Sequence, residues 1–179
     1  MNCFWDQGYE LTSVRDLASQ MGITGASLYN AFGDKRSLYR RALDHYLKRS
    51  VHDRIARCEQ LAPVSAIRAF FDEIIERSVL DRKRRGCLLI NSAVEVAPHD
   101  PEFRALAVAE FEALERFFRD RISAGQKEGA IAALQPPEVL AKTLLSVLLG
   151  IRVLARTRPQ RAVLGGAVDG VLSLLAIDA

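Results

Sequence analysis

Cysteine is scarce: Cys3, Cys58 and Cys87 are the only three in 179 residues, widely separated and without a C-x-x-C pair. An odd, dispersed set excludes a disulfide framework and a thiolate zinc site, and it suits a reducing cytosol. Long apolar runs are also missing. None approaches the roughly 20 residues that a membrane-spanning helix needs. The opening MNCFWDQGYE has no basic stretch followed by an apolar one, so no secretory leader is expected. Charge of one sign is not in excess either: 25 Lys+Arg against 22 Asp+Glu leave +3. So small an imbalance predicts no polyanionic partner by itself, and the placement of the charges has to decide. Catalytic signatures are absent as well. The three histidines (His45, His52, His99) form no H-E-x-x-H, there is no G-x-S-x-G, and the carboxylates are scattered singly. Glu95 and His99 stand four apart, but Pro98 interrupts any helix between them. No enzyme activity, cofactor or metal is therefore expected.

What is present is helical period. With 49% apolar and 26% charged residues the chain has the composition of a folded protein. Alternating strand patterns are missing, and Gly and Pro fall between the periodic segments as punctuation. The expected fold class is all-α. A helix end is expected at 2–7, stopped by Gly8, then short helices at about 13–21 and 25–32. A long helix follows from Lys35 to about Cys58, with Leu38, Ala42, Leu43, Tyr46, Leu47 and Val51 on one face. Another starts near Pro63 with Ile67, Phe70, Phe71, Ile74, Ile75 and Val79 inward. Arg82-Lys83-Arg84-Arg85-Gly86 breaks the pattern and reads as a solvated loop. A helix over 87–97 ends before Pro98, and Asp100-Pro101-Glu102 supplies an N-cap, a first-turn proline and an acidic first turn. The helix it opens carries Phe103, Ala107, Phe111, Leu114, Phe118 and Ile122. Two last helices are expected at about 136–156 and 160–176.

The sharpest local signal lies between Thr12 and Phe32. Ser13-Val14-Arg15-Asp16 reads as a capping box, with Thr12 the other candidate cap. Val14, Leu17, Ala18 and Met21 make a narrow apolar face. Gly22 permits the left-handed turn that ends the helix, and Ile23 is expected to plug the corner. Thr24 can cap a second helix whose inner face is Leu28, Ala31 and Phe32. Two short helices meeting steeply through a small Ala18 make a helix-turn-helix, whose second helix can enter a major groove. Turned outward on that second helix are Thr24, Gly25, Ala26, Ser27, Tyr29 and Asn30. None carries a carboxylate, whereas an ordinary solvated helix would show Glu and Lys there. Such residues can meet phosphates and base edges, and Lys35, Arg36, Arg40 and Arg41 supply cations to neighbour the backbone.

The run GYELTSVRDLASQMGITGASLYNAFGDKRSLYRRAL resembles the DNA-binding domain of the tetracycline-repressor (TetR/AcrR-type) family of transcriptional regulators. The likeness rests on Gly8-Tyr9, Thr12-Ser13-Val14, Leu17-Ala18, Met21-Gly22-Ile23, Ser27-Leu28-Tyr29 and Phe32-Gly33-Asp34-Lys35-Arg36-Ser37-Leu38. GCLLINSAVEVAPHDPEF and GIRVLARTRP resemble one branch of that family more loosely. The resemblance implies a DNA-binding domain at 1–50, with the helix-turn-helix at about 13–32, and a helical effector-binding and dimerisation domain at 51–179. It implies operator contacts from Thr12, Ser13, Thr24, Gly25, Ala26, Ser27, Tyr29, Asn30 and Lys35, with Tyr29 on a phosphate. Members of that family carry a basic arm and a full first helix ahead of this motif, and here only the end, Cys3-Phe4-Trp5-Asp6-Gln7, is matched. Val14, Leu17 and Leu28 are therefore expected to lack a packing partner.

Two expectations concern the rest of the chain. Residues 136–156 and 160–176 are apolar nearly all round, so they must be covered on more than one side. With Gly166 and Gly170 leaving room for a second backbone, they suggest a four-helix interface between two copies. Leu144, Leu148, Ile151, Gly166, Gly170, Val171 and Leu174 are the candidate contacts, and a deep core within one chain would use such residues equally well. An effector pocket is expected within 63–129, lined by Phe70, Phe71, Ile74, Cys87, Asn91, Glu95, Phe111 and Phe118, and suited to a small lipophilic ligand. The same aromatics would also serve as plain core. The expected protein is a cytoplasmic, nucleoid-associated homodimeric repressor that binds palindromic double-stranded operator DNA and is released by its effector. The alternative is a dimeric ligand-binding module that has lost DNA binding with its first helix.

Overall fold

The computed structural model describes residues 1–175, and among them every regular element is helical. In chain order these are α1 (Asn2–Gln7), α2 (Val14–Met21), α3 (Gly25–Phe32), α4 (Lys35–Leu47), a π-helical segment (Lys48–His52) and α5 (Asp53–Cys58). There follow α6 (Pro63–Leu80), α7 (Leu88–Glu95), α8 (Pro101–Lys127), α9 (Pro137–Thr157), α10 (Arg161–Leu172) and a final 3₁₀ turn (Ser173–Leu175). Residue 176, the expected end of the last helix, lies outside the described residues. The expected long helix from Lys35 to Cys58 is present with its regularity broken, since one wider π turn interrupts it.

The chain forms two compact units that do not follow a single cut after residue 50. The first comprises Met1–His52 together with Leu88–Ala107, and the second Asp53–Cys87 with the chain from Val108 onward.

The first unit is built on short helices that need a shared core. Ser13 caps α2: its Oγ accepts the Asp16 amide at 3.1 Å while Asp16 Oδ2 accepts the Ser13 amide at 3.0 Å, which completes the capping box and leaves Thr12 another role. At the far end Gly22 is left-handed, with φ 66°. The Ile23 amide donates to Ala18 O at 3.0 Å and the Gly22 amide to Ser19 O at 3.2 Å. These two bonds close the corner. Met21 and Ile23 are therefore exposed, and the corner needs no plug. In α3 Leu28 is wholly buried and Phe32 half-buried, but Ala31 is exposed, because at 100° per residue it lies on the rim of the inner face.

Leu17 and Leu28 do not lack a partner. Leu17, Leu28, Phe4 of α1 and Tyr39 of α4 are all buried to within a few per cent of their surface. The Tyr39 ring is the hub, lying 4.9 Å from Phe4, 4.8 Å from Tyr9 and 5.3 Å from Phe103 between centroids. Burial pushes its phenol up to about 12.

Glu95, at the end of α7, fastens the segment that leads into α2. Its two oxygens accept the amides of Tyr9 (3.0 Å) and Glu10 (2.8 Å). Gly8 makes this possible: its φ is +88°, and a Cβ there would lie 2.9 Å from both oxygens. Thr12 is fully buried and donates its hydroxyl to Gly8 O, which completes the turn.

In the second unit, α6 and α8 share an aromatic layer. Phe71 stacks on Phe118 at 5.5 Å and 11°, and Phe70 lies 5.2 Å from Phe117 and 5.3 Å from Phe118. Phe117, unnoticed in the sequence, is buried here, whereas Phe111 is half-exposed and Val79 exposed. On α9 the residues Leu140, Leu144, Leu148, Ile151 and Ala155 form one buried stripe, and on α10 Leu164, Val168, Val171 and Leu172 another.

Leu28→Ala is expected to cost about 2–5 kcal/mol by leaving a cavity, seen as a lower urea midpoint at unchanged slope. Glu95→Ala strands two amides and is expected to cost about 1–3 kcal/mol in the same measurement, with Glu95→Gln recovering part of it.

Candidate nucleic-acid interface

Within the first unit, α3 turns Leu28 inward and leaves Thr24, Ala26, Ser27, Tyr29 and Asn30 exposed, with Gly25 half-buried. Tyr29 keeps 51% of its surface exposed, high for a tyrosine and enough for the hydroxyl to reach a ligand. No carboxylate lies on α3. Thr24 is the N-cap, its Oγ1 accepting the Ser27 amide at 3.1 Å and lying 2.9 Å from Ser27 Oγ. Nothing lies within 4 Å of a Cβ built on Gly25. The N-terminal end of α3 is therefore an open platform of amides and hydroxyls, the arrangement that receives an anion.

Not every expected contact residue is on that platform. Thr12 is not, since it is buried and its hydroxyl is committed to Gly8. Ser13 is exposed, but its hydroxyl is engaged in the capping box. Lys35 is half-buried. Its Nζ stands 4.3 Å above the Tyr9 ring and 3.4 Å from Glu10 O, which holds the ammonium at the start of α4.

The other cations divide. Arg41 is exposed, its guanidinium 5.5 Å from the Phe32 ring centroid. Arg36 is committed within the unit: Nε donates to Asp100 Oδ2 at 2.6 Å, and Nη2 to Asp100 Oδ1 at 3.1 Å and Glu102 Oε2 at 2.6 Å. Arg40 donates to both oxygens of Asp44 and, from Nη1, to Glu102 Oε1 at 2.6 Å. Arg36 holds the Asp100 carboxyl down at about 2 and Glu102 below its ordinary value. The cluster is thus fully ionised throughout the neutral range, and the stability it lends is lost only as pH falls from the ordinary carboxylate range through about 2. The expectation that Arg36 and Arg40 lie ready beside a DNA backbone does not hold for this state. The signal was legible in principle, since Asp100 and Glu102 open the helix that α4 meets, but their partners lie more than sixty residues away in sequence.

The residues expected to line an effector pocket do not belong to one unit. Asn91 and Glu95 fall in the first, and Phe70, Phe71, Ile74, Cys87, Phe111 and Phe118 in the second. Glu95 is an anchor for the Tyr9-Glu10 backbone, which occupies both of its oxygens. Phe70, Phe71 and Phe118 pack on one another as core, Phe71 stacked on Phe118 and Phe70 edge-on to both. Of the expected dimer contacts, Leu144, Leu148, Ile151 and Val171 are buried within their own chain. Gly166, Gly170 and Leu174 are exposed, as are Val139 and Val153. A helix that is apolar all round does not disclose which stripe faces home.

Family comparisons agree with this geometry. The model described as "Bacterial regulatory proteins, tetR family" matches residues 1–42, and "Tetracyclin repressor-like, C-terminal domain" matches residues 63–170. An uncharacterized HTH-type transcriptional regulator of Bacillus subtilis, YezE, is 32% identical over 96% of this chain and 90% of its own length. The HTH-type transcriptional repressor ComR of Escherichia coli is 28% identical over 87% of this chain and 75% of its own. Among solved structures, the TetR family regulator CifR in complex with a 26-base-pair operator duplex superposes with a TM-score of 0.85 at 32% identity, covering 97% of this chain and 91% of that one. A TetR family regulator from Agrobacterium tumefaciens shares the fold, with a TM-score of 0.85 at 23% identity over 99% and 92% of the two chains. With one family model spanning more than half of its residues and a 32% identical relative matching nearly all of it, the chain belongs to the TetR family of bacterial transcriptional regulators.

Proposed function

We propose that this regulator is a repressor that acts as a homodimer on a palindromic operator and is released by a small, lipophilic effector. The observation that carries the reading is the outer face of α3: Thr24, Ala26, Ser27, Tyr29 and Asn30 stand in solvent with no carboxylate among them, while Leu28 anchors the helix from behind. A face so free of negative charge suits a phosphate-lined groove. CifR, similar to this chain over nearly its whole length, is described in complex with operator DNA, and ComR is described as a repressor. In this reading Thr24, Gly25, Ala26, Ser27 and Asn30 face the bases and backbone, Tyr29 meets a phosphate, and Lys35 lies beside it. The match of residues 1–42 to the DNA-binding family model and the likeness to described repressors do not favour a module that has lost DNA binding.

The homodimer would be built on exposed residues of α9, α10 and the closing turn that include Val139, Val153, Gly166, Gly170 and Leu174, where glycines allow a second helix to approach. Two heads related by a twofold axis suit a palindrome whose half-sites lie about 34–36 Å apart. The domain division that fits this reading is a DNA-binding head at about 1–50 followed by an effector and dimer domain. The head is braced by residues 88–107, which share its compact unit. Among the described residues no helix is long and apolar enough to cross a membrane, and a DNA-binding role suits a cytoplasmic, nucleoid-associated protein.

Binding to a labelled duplex, titrated against salt, is expected to weaken with a clear negative slope, and a slope near zero would remove the phosphate-contact reading. Lys35→Ala should reduce that slope by about 0.9, the contribution of one phosphate contact. Tyr29→Ala should weaken binding to all sequences with the slope unchanged. Gly170→Arg, at a position with nothing within 4 Å of a Cβ, is expected to turn a dimer into a folded monomer in analytical ultracentrifugation. A monomeric wild type would overturn the dimer proposal.

A further inference from the structure

We infer that Asp100 and Glu102 act as internal stand-ins for DNA phosphate, keeping Arg36 and Arg40 from the duplex and thereby setting how tightly and how salt-dependently the head binds. The inference rests on the DNA-binding reading above. All of the residues belong to one compact unit.

The geometry is that of anion recognition. The Arg36 guanidinium grips Asp100 through two parallel bonds, Nε to Oδ2 at 2.6 Å and Nη2 to Oδ1 at 3.1 Å, and reaches Glu102 Oε2 with the same Nη2. Glu102 turns its second oxygen to Arg40 Nη1 at 2.6 Å. A guanidinium fork binds carboxylate and phosphate in the same way. Helix capping accounts for Asp100 only in part. Its Oδ1 does accept the amides of Glu102 and Phe103 at 3.0 and 3.3 Å. Capping gives no reason for Glu102 to bridge two arginines.

The position of the arginines gives the contact its consequence. Arg36 follows Lys35 directly at the start of α4, and Arg40 stands one turn further on. Neutralised in this way, neither displaces a counterion when DNA arrives, so neither contributes to salt-dependent affinity. The cluster is only partly open to solvent, with side-chain exposures of 42% for Arg36, 35% for Arg40, 49% for Glu102 and 19% for Asp100. The exposed pairs that Glu102 makes are individually weak, whereas the bidentate grip on Asp100 is the firmer hold on Arg36. Asp44 retains Arg40 at 3.0 Å when Glu102 is removed, so Arg36 is the cation chiefly set free.

The test is the double variant Asp100→Asn, Glu102→Gln, in which Asn preserves the α8 cap. Full-length wild type and variant, checked for equal helicity and melting, are titrated by fluorescence anisotropy against a labelled mixed-sequence duplex at stepped KCl. The variant is expected to bind more tightly at low salt, with a slope steeper by about 0.9 for the one released arginine. Adding Arg36→Gln to the double variant is expected to bring the slope back to the wild-type value. An unchanged slope, or weaker binding at the same slope, would overturn the inference and leave the two carboxylates as positioning residues for α4. A slope that stays steep after Arg36→Gln would also overturn it, because the gain would then come from lost negative charge alone. If neither wild type nor variant binds duplex at any salt, the DNA-binding reading itself fails and the inference falls with it. Wild-type binding without the slope change defeats the inference alone.

Discussion

Two eight-residue helices cannot hold a crossing angle in water by themselves, because isolated helices of that length are marginal. The reading head of this protein therefore depends on what lies behind it: a fully buried Leu28, Phe4 closed over Tyr39, and Tyr39 closed in turn over Phe103. Glu95 adds a polar fastening where an apolar contact would leave two amides stranded. Because the inner side of α3 is fully engaged, its outer side is free to be small, neutral and exposed. The open face and the buried hub are two aspects of one packing arrangement.

Net charge is a poor guide to where such a protein is electropositive. Much of its arginine is used internally. Arg36 and Arg40 meet Asp100, Glu102 and Asp44, and in the second unit Arg54, Arg57 and Arg77 all converge on Glu73. Arg85 turns back to Asp81. What α3 presents is an absence of negative charge, not a concentration of positive charge. Specific contact in a groove requires hydrogen-bonding groups at base edges and a surface that does not repel phosphate, and α3 meets both requirements without a single lysine.

The second unit shows the opposite arrangement. Phe70, Phe71, Phe117 and Phe118 pack ring to ring, and the inner stripes of α9 and α10 are sealed. Gly86, left-handed at φ +70° and with 2.8 Å between a built Cβ and Arg156 Cγ, ties the 81–87 loop against the end of α9. Val139, Val153, Gly166 and Gly170 remain exposed on these two helices, and Leu174 on the turn that follows.

Local chemistry was legible in the sequence. The Ser13-Asp16 capping box, the Thr24 cap, the left-handed Gly22 and the run of helices each depend on neighbours within about one turn, and so does the carboxylate-free face of α3. Long-range pairing was not legible, because periodicity states that a residue faces inward without saying toward what. Glu95 read as a pocket residue until its partners proved to be backbone amides eighty-five residues earlier. Arg36 and Arg40 read as phosphate ligands until Asp100 and Glu102 came into reach. For Leu144, Leu148, Ile151 and Val171, only the packing of α6, α9 and α10 could decide between a neighbour in the same chain and one in another.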